Sequence, residues 1–338
     1  ELTSNNWTQG VDLTNNSDSK NFSFTSRHSL MFRPHLPENH SLQVLGRYEI
    51  NTSSSTKQNL AFSGISGGIS DPTVPGYLTG TGSSTGTHRS MNGTGTLHYA
   101  YGSKYVVDFT VRADGMTKFG SGNKWGFFPG ISGRWNISDE GFFKPLKKYV
   151  SMLAVRPSWG VNGNAWFGEG LIYNKYSSYG SYLGKQGIAP DNLRLTEIRW
   201  EKTKSWNLGF NLNLLDDLFQ FDLSVYKKYT SDLLMSNIRI PSSTGYSNIA
   251  NGNVGRMENE GWELFVSTKP ILNIGKFNVT LRANVAQNLN VVTEMDKNVL
   301  ASMNGQFDKK NETFVKRVQL GHALGGIYGF RYKGVYAY

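Results

Sequence analysis

Apolar and polar residues alternate along much of the chain. The clearest case is WNLGFNLNL at 206–214, where every second residue is apolar and the others are Asn or Gly. A repeat of two residues is typical of a β-strand whose two faces have different surroundings. A second alternating run, FQFDLSVY at 219–226, follows after the short segment 215–218. The two runs together predict a β-hairpin with its turn at 215–218.

The same alternation predicts about eleven strands in all. Besides the two above, the predicted strands lie at 22–33, 41–50, 97–101, 105–113, 125–136, 149–158, 258–268, 277–285 and 326–334. No segment has the 3.6-residue period of an amphipathic helix, and EGFFKPLKK at 140–148 lacks it too. The pattern therefore indicates an all-β protein.

Short and long connections largely alternate between the predicted strands. The short ones lie at 34–40, 102–104, 215–218 and 269–276, and the long ones at 51–91, 160–199, 230–257 and 287–325. Outer-membrane barrels have this asymmetry, with short periplasmic turns, long extracellular loops and strands of about 9–11 residues. A soluble β-sandwich alternates as well, but soluble strands average only about 5–6 residues. The lengths favour a transmembrane barrel.

Composition removes several other classes. The formal net charge is +10, but the basic residues are scattered, which does not favour a nucleic-acid partner. The chain has no cysteine, so a disulfide scaffold and thiolate metal ligands are excluded. Its six histidines show no ligand spacing, and no metal site or other cofactor is expected. No apolar run is long enough for a transmembrane helix, and residues 1–20 do not resemble a signal peptide.

Several segments resemble, in the same order, the barrel of SusC/RagA-type TonB-dependent outer-membrane transporters. They are VRADGMTKFGSGNKWGFFPGISGRWNISDE at 111–140, LAVRPSWGVNGN at 153–164, LRLTEIRWEKTKSWNLGFNLNL at 193–214, SVYKKYTSDLL at 224–234, STGYSNIANGNVGRMENEGWEL at 243–264 and ALGGIYGFRYKGVYAY at 323–338. The resemblance extends from residue 91 to the end, whereas residues 1–90 are similar only in style.

One departure from the family pattern concerns 157–160, where Pro-Ser-Trp-Gly replaces the usual Ser-Tyr-Gly. Proline cannot donate to a β-ladder, so we expect Pro157 at a strand end or a bulge. Gly and Asn tolerate positive φ angles, and we expect Gly160–Asn164 to form the barrel rim, where the chain leaves the sheet.

The resemblance implies one part of a large antiparallel transmembrane β-barrel, which has 22 strands in this family. About eleven strands cannot close such a barrel. We therefore interpret residues 1–338 as a single partial barrel domain and an internal fragment. Nothing in it resembles the family's plug domain, its TonB-contact segment (the TonB box) or its C-terminal strands.

The resemblance also implies a function in the bacterial outer membrane, which is active import of oligomeric nutrients energised by TonB. Oligosaccharides from glycans are the favoured substrate, and oligopeptides are the alternative within the family. A SusD-like surface lipoprotein is the implied lid, and outer-membrane lipid is the implied surrounding. No bond is made or broken, so the protein is not expected to be an enzyme. A soluble or surface carbohydrate-binding β-protein and a passive porin remain alternatives of other classes.

The candidate substrate-binding residues are aromatic and lie in the long segment that follows the rim. They are Trp166, Phe167, Tyr173, Tyr176, Tyr179 and Tyr182. Aromatic rings stack on the apolar faces of sugars or on peptide side chains, and tyrosine also donates a hydrogen bond. The alternative is that these side chains pack the loop onto its neighbours. No catalytic residues are predicted, because motifs such as SGNK at 121–124 lack their structural context.

Overall fold

The computed structural model of the chain describes residues 14–63, 77–274, 277–304, 307–308, 313–314, 317–327 and 332–334. In chain order its strands are β1 (Thr14–Phe32), β2 (His40–Ser63), β3 (Tyr77–Tyr101), β4 (Tyr105–Met116), β5 (Trp125–Asn136), β6 (Val150–Asn164), β7 (Tyr176–Tyr182), β8 (Lys185–Pro190), β9 (Glu201–Leu214), β10 (Phe219–Ser231), β11 (Leu234–Arg239), β12 (Asn248–Asn253), β13 (Gly255–Thr268), β14 (Leu272–Ile274), β15 (Phe277–Val279), β16 (Arg282–Met295), β17 (Phe307–Asp308) and β18 (Thr313–Phe314). The helical segments are an α-helix at Lys297–Asn304 and 3-10 turns at Ile137–Asp139, Gly141–Leu146 and Ser242–Thr244.

Ten of these strands form one antiparallel sheet in the order β1-β2-β3-β4-β5-β6-β9-β10-β13-β16. Each strand pairs with the next sheet strand along the chain, as in an up-and-down barrel. Four separate two-stranded hairpins lie outside this sheet in the described residues, and they are β7-β8, β11-β12, β14-β15 and β17-β18. Among the described residues, β1 and β16 each have one edge without a partner strand. The sheet is thus open, as expected of one part of a barrel wall.

The apolar positions of the alternation lie on an uncovered face of the sheet. On β9 the Trp206 side chain is 57% exposed, and on β10 Val225 is 47% exposed. Gly209 on β9 belongs by alternation to the opposite, polar face and is buried. A large uncovered apolar surface is unfavourable in water but matches the hydrocarbon layer of a membrane. The apolar face is therefore the outer, lipid-facing face, and the polar face lines the lumen.

The predicted hairpin at 206–226 is confirmed. β9 pairs with β10 from Leu214 opposite Phe219 to Lys202 opposite Ser231. The turn contains three successive non-glycine residues with positive φ, Leu215 at 50°, Asp216 at 53° and Asp217 at 64°. The predicted pairing around the 102–104 turn is confirmed as well, by β3 and β4.

The prediction of a long loop at 51–91 was wrong. β2 continues to Ser63, β3 begins at Tyr77, and β1 pairs with β2 along the same stretch. β4 ends at Met116 opposite Ser90, so β1–β3 extend beyond it as a three-stranded ribbon by about 40 Å, at about 3.3 Å per residue. This polar ribbon is rich in Ser, Thr, Gly and Asn, and many of its residues are exposed. The alternation predicted only residues 22–25 of this ribbon, because most of it lacks an apolar face.

The rim predicted at Gly160–Asn164 is also incorrect. These residues are part of β6 and pair with β9 as far as Asn164 opposite Glu201. Pro157 lies within the strand, where it pairs with Leu208 of β9, and not at a strand end or bulge. On the β5 side the ladder is interrupted between Ser132–Ser158 and Trp135–Val155, with the same register on both sides. This gap accommodates the proline's missing N–H.

Three further expectations need correction. The α-helix Lys297–Asn304 occupies the connection expected at 287–325, and β16 continues to Met295 before it. The strand expected at 277–285 is divided, because Phe277–Val279 pairs with β14 and β16 begins at Arg282. In the strand expected at 326–334, residues 326–327 and 332–334 are not in a strand, and 328–331 lie outside the described residues.

Candidate functional site

The polar face of the sheet carries a side-chain bridge that crosses three strands. Arg156 on β6 extends over Gly209 on β9, and its Nη2 lies 2.8 and 3.0 Å from the two carboxylate oxygens of Asp222 on β10. Asn211 donates a further hydrogen bond of 2.8 Å to Asp222 Oδ2. Glycine at position 209 gives the arginine side chain room, because a Cβ there would lie only 3.2 Å from the guanidinium. The bridge thus spans the lumenal wall while remaining accessible to solvent.

Two other carboxylates on this face also have side-chain partners across or along strands. Nδ1 of His98 lies 2.6 Å from Oδ1 of Asp108, and the Arg112 Nε donates to Asp114 at 2.8 Å. A shallow depression of about 330 Å³ lies among the polar side chains Asp108, Arg134, Arg156, Ser158, Asn207 and Ser224. At these positions, the pairing leaves little local excess of charge on a hydrophilic wall. Such a surface can exchange hydrogen bonds with water or with a polar solute.

A hydrophobic cluster closes one end of the sheet, where β4, β5 and the segment 165–200 meet. We call it the loop core, and its buried members are Phe119, Phe128, Phe167, Ile198, Trp200 and Leu234. Phe119 stacks on Trp200 with ring centroids 4.6 Å apart and meets Phe167 edge-on at 5.0 Å. A Cβ on Gly163 would lie 2.0 Å from Phe128 Cζ. Glycine in the sequence NGN at 162–164 therefore admits an aromatic ring to the loop core.

Polar contacts fasten the same segment to the sheet. Lys118 is only 9% exposed. Its ammonium donates hydrogen bonds to the Phe167 carbonyl at 3.2 Å and to the Ala165 carbonyl. The same ammonium lies 4.7 Å from the centre of the Phe167 ring. Burial lowers the pKa of Lys118, and nearby Glu169 opposes that shift. Glu169 Oε1 lies 2.6 Å from His88 Nδ1 on β3. The segment that carries the candidate aromatics is thus held from two directions.

The structure separates the six sequence-predicted binding residues into different environments. Phe167 is buried in the loop core, at 6% exposure. Trp166, Tyr173, Tyr176 and Tyr179 are exposed, the last at 77%. The side chain of Tyr182 lies outside the described residues. No ring-to-ring contact joins the exposed members within the described part of the chain.

Sequence reasoning missed two further features of this end. Leu183 and Ile188 are strongly exposed in the hairpin β7-β8, beside Tyr176 and Tyr179. Together these four side chains make an apolar, solvent-exposed hairpin, which suits contact with a partner or a substrate. The only sequence signal was the unusual number of tyrosines, because neither Leu183 nor Ile188 belongs to a periodic pattern.

The opposite end of the sheet has short turns stabilised by carboxylates. In the 215–218 turn, Asp217 Oδ1 accepts hydrogen bonds of 2.9 Å from both Asn213 and Ser151. These bonds lower the pKa of the Asp217 carboxyl, with Lys269 adding to the effect. Beside the 102–104 turn, hydrogen bonds from Tyr105 and Lys104 lower the pKa of the Glu140 carboxyl. The charged forms of both acids therefore stabilise this end.

No group of three or more His, Cys, Asp or Glu side chains in the described part of the chain is placed to hold a metal ion. None of the helices described there has the length and apolarity needed to cross a membrane.

Residues 2–330 match the protein family described as "TonB dependent receptor-like, beta-barrel". Among similar proteins, the TonB-dependent receptor P39 of Formosa agariphila is 35% identical over 261 residues, which are 77% of this chain and 24% of that receptor. The TonB-dependent receptor SusC of Bacteroides thetaiotaomicron is 28% identical over 248 residues, which are 70% of this chain and 24% of SusC. The chain thus spans about a quarter of the length of these relatives.

The fold is similar to solved structures of the RagAB peptide transporter. The RagAB peptide importer in its "closed-closed" state superimposes with a TM-score of 0.79 and 18% identity, over 91% of this chain and 33% of that chain. A second structure, of the RagAB peptide transporter, gives a TM-score of 0.75 and 19% identity over 84% of this chain and 31% of that chain. At these identities the likeness concerns the fold alone.

Proposed function

The chain belongs to the TonB-dependent receptor-like β-barrel family, and from this premise we propose that it forms part of the wall of a transporter importing oligomeric nutrients. The observation that carries the proposal is the division of one sheet into an exposed apolar face and a charge-paired polar face. Lipid covers the first face, and the second lines an aqueous path. Members of this family are outer-membrane proteins, so the sheet lies in that membrane.

In this proposal the wall performs no chemistry on the solute. Arg156 and Asp222, like His98 and Asp108, satisfy one another before any solute arrives. A polar oligomer can exchange hydrogen bonds with these pairs without meeting an unpaired charge that would hold it tightly. The family consists of receptors and transporters, and we propose that this chain is likewise not an enzyme.

We propose oligosaccharides as the first substrate class and oligopeptides as the alternative. SusC is a sequence relative at 28% identity, whereas the RagAB structures, whose titles name a peptide importer, match in fold at lower identity. A soluble carbohydrate-binding protein is a poor alternative, because the exposed apolar face would aggregate in water. A passive porin is likewise a poor alternative given membership of a TonB-dependent family.

The proposed partners follow the same reasoning. TonB would supply energy from the inner membrane, and a SusD-like lipoprotein would cover the extracellular end. The apolar hairpin β7-β8 supports a contact at that end, since Tyr176, Tyr179, Leu183 and Ile188 are uncovered. We propose that Trp166, Tyr173, Tyr176 and Tyr179 contact substrate or lid, with Tyr182 as a further predicted member. Phe167 would position the segment from within the loop core.

An uptake assay tests this function. Cells producing the complete protein are offered fluorescent oligosaccharides and, separately, fluorescent oligopeptides, with and without a protonophore. The proposal expects protonophore-sensitive accumulation of the sugars, and loss of accumulation when the gene is deleted. Accumulation of peptides alone would shift the substrate class. Uptake that survives the protonophore would contradict energised transport.

A further inference from the structure

The lipid-facing side of the sheet contains a groove of about 870 Å³. Its apolar lining includes Ile131, Trp159, Trp206, Leu208, Trp262 and Leu289. These residues come from β5, β6, β9, β13 and β16, so the groove runs across the strands. Its volume lies within the range of about 300–1,000 Å³ that is usual for ligand sites. Contact with bulk lipid alone does not require such a groove.

Tryptophans form the groove's walls, and a low stretch of backbone forms its floor. The rings of Trp159 and Trp206 lie beside each other on the adjacent strands β6 and β9, with centroids 5.9 Å apart and ring planes tilted by 50°. The Trp262 indole N–H donates to Gln287 at 3.1 Å, which fixes that ring. Gly133 and Pro157 also line the groove, where the β5–β6 ladder is interrupted. Because glycine has no side chain and proline has a compact one, these two residues leave space beside the indole rings for an acyl chain.

Two lysines lie on the same strand and the same face as Trp206. Lys204 and Lys202 are two and four residues away, and both are exposed. At about 3.4 Å per residue they lie roughly 7 and 14 Å along β9 from the ring. Neither forms an ion pair within the described part of the chain. Their neighbours on adjacent strands are Val161, Gly163, Tyr229 and Ser231, all of which are uncharged.

The remaining nearby lysine has two acidic partners of its own. Lys227, which lines the groove opposite Trp206, lies 3.3 Å from both Glu258 and Glu260. The positive charge available to a ligand is therefore concentrated at Lys202 and Lys204. Lys202 and Lys204 do not line the groove, but they lie roughly 7 and 14 Å along β9 from its Trp206 ring and have no ion pair among the described residues. An apolar groove with two such ammonium groups beside it complements a molecule with an acyl chain and an anionic head.

We propose that this surface binds one phosphorylated membrane lipid, with an acyl chain in the tryptophan groove and the phosphate at Lys202 and Lys204. Transfer of the chain into the groove replaces bulk lipid contacts with contacts to indole rings, and the phosphate gains two charge-assisted hydrogen bonds. The inference requires the outer-membrane placement of the sheet, but it is independent of which solute is imported.

Lipid retention tests the proposal. The complete protein is purified in dodecyl maltoside, a detergent without phosphorus, and bound phosphorus per protein is measured, with the lipids identified by mass spectrometry. The double variant Lys202→Gln/Lys204→Gln is compared with Lys20→Gln/Lys57→Gln, which removes the same charge from the polar ribbon. We expect the first variant to retain at least about fivefold less phospholipid, and the control to retain the wild-type amount.

Add-back and size measurements cover the other outcomes. Dioleoylphosphatidylglycerol restored to stripped wild-type protein should bind more tightly than dioleoylphosphatidylcholine, and Trp206→Ala should weaken the binding of both. Folding of each variant is verified by the heat-dependent shift in gel mobility that folded barrels show. Equal lipid retention in all folded variants would overturn the proposal. So would wild-type protein without lipid whose mass corresponds to two copies, because the groove would then be an interface between copies.

Discussion

Arg156 on β6 and Asp222 on β10 form an ion pair across the intervening strand, with Nη2 of the arginine 2.8 Å from Oδ1 of the aspartate. The arginine side chain passes over Gly209 of β9, where a Cβ would lie only 3.2 Å from the guanidinium. The pair depends on a residue that makes no side-chain contact of its own. Together the three residues tie β6, β9 and β10 on the lumenal face.

Replacement of Gly209 by valine should break this ion pair. The added side chain would occupy the space of the guanidinium, which lies 3.2 Å from an ideal Cβ at position 209. We expect the free energy of unfolding to fall by about 1–3 kcal/mol, as for other overpacked sites. Denaturant titration in detergent measures the loss.

Two comparisons make the Gly209 prediction specific. In an Arg156→Ala background, Gly209→Val should cost much less, because the group it displaces is already gone. Gly86→Val is a matched strand control, since a Cβ at Gly86 meets nothing within 4 Å. Equal destabilisation in both backgrounds would show that the valine acts through something other than Arg156.

A second glycine controls the loop core. Gly163→Ala places a methyl group 2.0 Å from the wild-type position of Phe128 Cζ, so the ring must leave its place beside Trp200. We expect a destabilisation of about 1–3 kcal/mol, concentrated in the segment 165–200. Limited proteolysis should detect faster cleavage there. Phe128→Leu should partly restore resistance, and Gly168→Ala, where a Cβ meets nothing within 4 Å, should have little effect.

Lys118 fastens the same segment through its ammonium group. Lys118→Met keeps most of the aliphatic chain but leaves the carbonyls of Ala165 and Phe167 without this donor. The expected loss is about 1–3 kcal/mol of local stability, the usual effect of removing a buried hydrogen-bond partner. Hydrogen exchange at 165–172 should become faster, whereas exchange in β9 should not change. Unaltered exchange at 165–172 would remove Lys118 from this role.

Acidification should loosen the short-turn end through Asp217. Its pKa is lower in the folded state than in the unfolded state, so the carboxylate adds stability above the unfolded pKa. That contribution is lost as the pH falls through the folded pKa. Asp217→Asn should therefore flatten the acid limb of a plot of stability against pH.

Asp216→Asn is the matched control for the Asp217 prediction. Asp216 is adjacent, has a similar positive φ of 53°, and makes no side-chain hydrogen bond within the described residues. Asparagine tolerates this conformation as well as aspartate does. An identical acid limb for the two variants would mean that Asp217 does not control this transition.

The sequence predicted those strands whose faces differ in polarity and missed those whose faces are alike. Trp206 and Val225 belong to runs in which lipid faces one side and water the other, so the period of two is visible in the residues themselves. The ribbon that contains Lys57 is polar on both faces, and a strand with uniform surroundings has no period to detect. Pro157 was misplaced because the gap that accommodates it lies in the pairing of β5 with β6, which is a property of two strands together.

The candidate site was predictable as a segment but not residue by residue. Phe167 and Tyr179 are both aromatic residues of one aperiodic loop, yet the first is buried and the second is almost bare. Their difference depends on Phe119 and Trp200, which approach from distant parts of the chain. Nothing in the sequence distinguishes Lys202 and Lys204 from ordinary surface charges, because their position beside Trp206 on the lipid-facing side depends on the sheet.

The central claim, that one face of this sheet meets lipid and the other meets water, can be measured directly on β9. Single cysteines are introduced in turn at 206–214 of the complete protein, each carries a nitroxide spin label, and the labels are exposed to oxygen or to a water-soluble nickel chelate. The 338 residues contain no cysteine of their own that would interfere. The account predicts strict alternation, with labels at Leu208, Phe210 and Leu212 accessible to oxygen, and those at Asn207, Gly209 and Asn211 to nickel. Equal access of the nickel chelate to both sets would contradict it.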